Sequence, residues 1–298
     1  MRTLIVIKTL AANTVVELLR QKALTLLIII GILLAAGANY FSQFSFDSEQ
    51  DFKFIKDYAV GILTLVGVLV AIISTAQILP SELENRTIFT ILTKPVQRWE
   101  FLLGKFTGIC VLLAGLTLMI ALVLAVVLYV QETNHINQVQ KSYELSKNQG
   151  QQPNLEEKKV AIENIRKQSR DSRLIPVFLL TYLKIVLTAA IGLFLSTIAT
   201  SMMFTAIMTS LLYISGHLVS IARETWANAE GSFSWLVKFF STTISLIVPD
   251  LSAFNLIDEI IAGNPIPTQH TIEIATYGIV YTIVLMTCAC LIFSSREL

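Results

Sequence analysis

Long apolar runs without charge constrain this chain more than any other feature, because a helix of about 20 apolar residues is what crosses the hydrocarbon core of a bilayer. Ala23 to Phe41, Tyr58 to Leu79 and Phe106 to Val130 each supply one crossing. Leu174 to Ala222 has Lys184 as its only charge and is long enough for a hairpin of two helices turning near Ser196 to Ser201. Ala275 to Phe293 adds a sixth crossing. Only 14% of residues are charged and 54% are hydrophobic, against about 25% charge in soluble domains. The expectation is an all-α polytopic membrane protein, one domain over residues 1–298 with six transmembrane helices, and an even number of crossings puts both termini on one side.

Lys and Arg in short loops mark the cytoplasmic side. Arg2, Lys8, Arg20 and Lys22 precede the first span, and Arg86, Lys94, Arg98 and Lys105 lie between the second and third. Both segments are expected inside. Ser42 to Asp57 and Arg223 to Glu273 are richer in acids and fit the outside. Glu132 to Arg173 carries more bases than acids, yet alternation of the spans places it outside.

Residues 1–22 form an amphipathic segment that fits an interfacial helix. Its broad apolar face holds Leu4, Ile5, Ala11, Ala12, Val15, Val16, Leu18 and Leu19. A signal peptide ending at Ala38 is the competing reading. The polar stretch 131–173, broken by "GQQPN", has helical spacing on both sides of the break and is expected to form an external helical excursion. In the external segment 224–272, Ser232 to Val248 is short and interrupted by Lys238, which favours a helix that dips in and returns.

Catalytic signatures are missing. The chain has no G-x-x-x-x-G-K-[ST] loop, no H-E-x-x-H and no G-x-S-x-G, so no catalytic, cofactor-binding or metal residues are expected on it. His135, His217 and His270 are scattered, and Cys110, Cys288 and Cys290 read as packing residues in apolar runs. Lys184 is expected to snorkel or to pair with an acid of an external loop.

Against this background the segment 81–100, "SELENRTIFTILTKPVQRWE", concentrates alternating charge at the inner face. Pro80 is expected to end the second span, and Ser81 followed by Glu84 has the pattern of a capping box. Ile88, Phe89, Ile91 and Leu92 would make a short amphipathic helix stopped by Pro95. On the residues alone, two readings stand side by side: a rigid handle for a partner, or a solvated loop.

The stretch "ILPSELENRTIFTILTKPVQRWEFLLGKF" resembles the inner-loop signature of export-type ABC transporter permeases, the ABC-2 membrane family. Glu82, Glu84, Thr87, Pro95, Arg98, Gly104 and Lys105 occupy the places of that pattern, and Arg86 stands where the family commonly has glycine. "VPDLSAFN", Val248 to Asn255, is similar to a segment in permeases of the nitrous-oxide reductase maturation type. The resemblance implies a permease subunit without its own nucleotide site, in the inner membrane of a prokaryote with both termini cytoplasmic. It implies pairing with a second permease copy or a sister permease, and two ABC ATPase subunits carrying ATP and Mg. The coupling interface would comprise Glu82, Glu84, Arg86, Thr87, Lys94, Pro95 and Arg98. A stand-alone secondary transporter or channel, and a scaffold subunit recruiting an external partner, are the alternatives. "GKFTG", Gly104 to Gly108, is a G-x-x-x-G that permits close helix approach.

Overall fold

The computed structural model describes residues 2–41, 48–84, 97–148, 155–199, 201–227, 248–257, 259 and 267–295. Its helices are α1 (Arg2–Arg20), α2 (Lys22–Ala36), α3 (Ala38–Phe41), α4 (Ser48–Glu84), α5 (Arg98–Asn148), α6 (Leu155–Ser169), α7 (Leu174–Ile198), α8 (Met202–Ala227) and α9 (Thr268–Ser295). A single 3-10 turn, Ser252–Phe254, interrupts the connection between α8 and α9 among the described residues. Five helices are long and apolar enough to cross a membrane, or six if the pair α1 and α2 counts as one span. The protein is an all-α polytopic membrane protein.

Contacts between distant residues define the two ends of the bundle. At one end, Arg98 opens α5 beside the last carbonyls of α9, and α1 lies against Gly104 and Gly108 of α5. At the other, Lys56 of α4 meets Asp171, and Ser169 donates to the carbonyl of Leu128. Helices α4 and α7 run parallel, since Gly67 faces Ile185 and Gly192 faces Thr75. Gly31 of α2 faces Val66. Small residues sit at these crossings because apolar side chains gain nothing by leaving lipid for another apolar surface; close backbone packing must hold membrane helices together. Followed in order, α2, α4, α5, α7, α8 and α9 traverse the bundle alternately, and residues 2 and 295 lie at the Arg98 end.

Three elements depart from the expected boundaries. Helix α4 passes through Pro80 and ends at Glu84, so Ser81 is not the start of a new helix, while the stretch apolar enough to cross a membrane closes at Ile78, just before the proline. A membrane helix tolerates the hydrogen bond that proline removes better than a soluble one does. Helix α5 has 51 residues, about 76 Å at 1.5 Å per residue. That is more than twice the hydrocarbon thickness, so the third span continues without a break into the polar excursion. Helix α6 folds back on it through Arg170, whose guanidinium donates to both carboxylate oxygens of Glu132 at 3.3 and 3.1 Å. The hairpin break lies between Ile198 and Met202. The "GQQPN" break, most of Ser232 to Val248 and the expected short helix after Glu84 lie outside the described residues.

Helix α1 turns by 79° into α2. It buries Thr14 and Leu18 and leaves Leu4 and Ile5 72% and 65% exposed. The face toward α5 is therefore the Leu10, Thr14 and Leu18 side, whereas Leu4, Ile5, Val16 and Leu19 turn away from the protein. Both faces are apolar, so the wheel could not distinguish a protein neighbour from a lipid one.

Candidate functional site

Three of the expected coupling residues fall where α4 ends and α5 begins. Glu82 and Glu84 belong to the last turn of α4, and only their backbone is described. Arg86, Thr87, Lys94 and Pro95 lie outside the described residues. Arg98 is described, and its position is informative. Its Nη1 donates to the carbonyls of Phe293 at 3.4 Å and Ser294 at 3.2 Å. These carbonyls belong to the last turn of α9, where a helix has no intrahelical donor left and its dipole is negative. Phe101 stacks on Phe293 with ring centroids 6.2 Å apart. The first turn of α5 caps itself: Glu100 Oε2 accepts from the Gln97 amide at 3.0 Å. This is the reach-back half of the capping box expected earlier in the segment.

One turn further on, α5 receives α1. A Cβ at Gly104 would stand 2.6 Å from Leu10 Cβ, and one at Gly108 would stand 2.7 Å from Thr14 Cβ and 2.9 Å from the Ala11 carbonyl. The G-x-x-x-G thus seats the N-terminal helix. Between the two glycines, Lys105 is 2% exposed, and its Nζ lies 2.9 Å from Glu17 Oε2. The same ammonium sits 5.7 Å from the Phe101 ring centroid. Sequence inspection placed Lys105 in a motif but did not pair it, because its partner is on an element that reads as a separate surface helix. Together these contacts make the start of α5 a node joining α1 and α9.

A second feature lies between α4 and α8. A cleft of about 640 Å³ is walled by Val60, Leu65, Val68, Leu69, Ile72 and Ile214, with Lys184 and His217 on its lining. Asn255 and Ile257 also line it. These residues follow the 3-10 turn, which is wedged into the bundle: the Leu251 amide donates to the Gly216 carbonyl at 3.0 Å, and Phe254 faces Gly278. Among the described residues, Lys184 neither reaches solvent nor meets an external acid. It is 3% exposed, and among the described residues no carboxylate pairs with it. The reason is its level in the bundle: adjacent Ile185 packs on Gly67, close to the middle of the second apolar run and far from either polar end. His217 Nδ1 contacts the Tyr213 carbonyl at 3.1 Å. A carbonyl only accepts, so Nδ1 carries the proton.

Residues 9–298 match the ABC-2 family transporter protein pattern. The chain belongs to the ABC-2 family. No curated relative matches it. An ABC-2 family member with several membrane-spanning helices is the permease component of an ABC transporter, and such permeases associate with ABC ATPase subunits and generally carry no nucleotide site of their own. In this permease, the family pattern therefore spans the α5 node, the α4–α8 cleft and the wedged turn at Ser252–Phe254.

Proposed function

We propose that this permease is the membrane subunit of an ATP-driven exporter in the inner membrane of a prokaryote. It works as a pair, with itself or a sister permease, and the Arg98 end of the bundle faces the cytoplasm with both termini. Two ABC ATPase subunits, holding ATP and Mg, dock on residues 81–100. The carrying observation is the node at the start of α5. Arg98 holds the last turn of α9, and Gly104, Lys105 and Gly108 hold α1. A partner that pushes on the segment ending at Arg98 therefore moves three helices as one body. Closure of the ATPases would swing this body and change the α4–α8 cleft between the permease halves. The "VPDLSAFN" segment, which lines that cleft with Asn255, supports a finer likeness to maturation-type permeases.

The test is to express the permease with the ABC ATPase encoded beside it and to compare wild type with Glu84→Ala and Arg98→Ala. Both variants are expected to lower co-purification or stimulated ATP hydrolysis at least several-fold. Undiminished complex and activity in both would remove the docking assignment, and robust gradient-driven transport by the purified permease alone would remove the export reading.

A further inference from the structure

We infer that the α4–α8 cleft is a binding site for an amphipathic organic anion, whose acidic group is met by Lys184 and whose apolar body lies along α4 and α8. The inference rests on the export reading only for the direction in which such a molecule would move; the site itself stands on this chain's geometry.

Four observations carry it. First, the volume of about 640 Å³ falls in the range of pockets that take drug-sized molecules. Second, Lys184 is 97% withdrawn from solvent, 3% being exposed, and it lines the cleft rather than the protein-packed side of α7. Among the described residues, no carboxylate lies within ion-pair distance of its ammonium. An ionisable group at membrane depth is costly and is ordinarily paired or functional.

Third, the acid on the lining is Asp57. Ile185 packs on Gly67, so Lys184 stands level with Val66, and Asp57 lies about 14 Å away along α4 at 1.5 Å per residue. That offset sets the two groups at different levels of the cleft. Fourth, Tyr213 and Asn255 bring an O–H and an N–H₂ to the same lining, and both can donate to an acid. The walls contributed by Leu65, Leu69 and Ile214 remain 59%, 39% and 56% exposed in the single chain, which gives an acyl or aryl body an apolar surface to cover. A fully hydrated anion would find no such match, and a neutral apolar molecule would leave the ammonium as it is.

The experiment uses the full-length permease in nanodiscs of zwitterionic lipid, without ATPase, with dansylaminoundecanoic acid as the probe and its methyl ester as the uncharged control. Empty nanodiscs supply the partitioning baseline. Wild type is expected to show saturable fluorescence enhancement by the acid, with the ester about tenfold weaker or more. Lys184→Gln is expected to abolish that preference. Gly61→Phe keeps Lys184 but narrows the cleft, and since a Cβ at Gly61 meets open space, the substitution fits the fold; it is expected to weaken the acid about tenfold as well.

Equal binding of acid and ester by wild type, an acid preference that survives Lys184→Gln, or acid binding untouched by Gly61→Phe would each overturn the proposal. If Lys184→Gln fails to yield monodisperse protein, wild type and Gly61→Phe decide the matter. Loss of self-association in Lys184→Gln with no probe binding in wild type overturns it in favour of a carboxylate from a second copy. Because no ATPase is present, a negative result leaves the coupling assignment standing, and failure of the coupling test leaves this one standing.

Discussion

Glu17 of the N-terminal helix places its Oε2 2.9 Å from Nζ of Lys105, a lysine with 2% exposure near the start of the third span. The two ends of this pair are unequal, since the Glu17 side chain is 38% exposed. Removing the acid strands a buried charge, whereas removing the base lets the acid return to water. Glu17→Gln is therefore expected to cost about 2 kcal/mol, below the range for a fully buried pair. Lys105→Met is expected to cost less. Thermal unfolding of the detergent-solubilised permease ranks the two, and the reverse order would refute the asymmetry.

The glycines of α5 make a matched set. Gly104 and Gly108 sit beneath Leu10, Ala11 and Thr14, while a Cβ at Gly115 meets nothing within 4 Å. Gly108→Val should lift α1 from its seat and lower stability by roughly 1–3 kcal/mol, the range for overpacking. Gly115→Ala should leave stability unchanged or slightly raised. Disulfide trapping between cysteines introduced at 11 and 108 checks the seat directly: efficient crosslinking is expected only where α1 lies on α5.

Arg98 acts on α9 from a distant part of the chain. Its removal leaves two terminal carbonyls without a charged donor, an effect of about 1 kcal/mol confined to the last turn. In Arg98→Ala, amide exchange over residues 290–295 is expected to quicken about fivefold, with α7 unchanged. Exchange that stays at the wild-type rate would show that the cap contributes nothing to holding α9.

At the other end of the bundle, acid should loosen the link between α4 and the start of α7. Burial pushes the Asp171 carboxyl up, but hydrogen bonds from Arg173 and the charge of Lys56, 3.5 Å away, outweigh it and hold the group below its ordinary value near 3.8. A carboxyl lowered in the folded state contributes stability that is fully present above the unfolded value and lost as pH falls through the folded one. Wild type should lose thermal stability as pH is lowered from about 4 toward 3. Asp171→Asn should be less stable at neutral pH and show a shallower acid limb.

Much of this architecture was legible before any coordinates, for reasons that differ from element to element. The hairpin Leu174–Ala222 was readable because its run of apolar residues leaves no alternative solvent, and the break between Ile198 and Met202 fell where the polar residues cluster. At Pro80 the end of the apolar stretch was legible, since it closes at Ile78, but the continuation of the helix to Glu84 was not. Which part of the apolar face of α1 meets protein was not legible, because Leu4 and Leu18 are equally apolar and hydrophobicity does not tell a lipid tail from a neighbouring helix. Glu100 carried a readable capping signal beside Gln97, although the pattern had been sought at Ser81.

By itself, the sequence determined that the chain is an all-α membrane protein with several helices apolar enough to cross. Those properties follow from the solvation of contiguous residues, which adds up along the chain. Tertiary structure alone decided that Lys105 meets Glu17, that Arg98 closes α9 and that Lys184 faces a cleft instead of an acid. Each of these joins residues far apart in sequence, and their meeting depends on which small residues let two helices approach, a pairwise property that no single stretch of the chain contains.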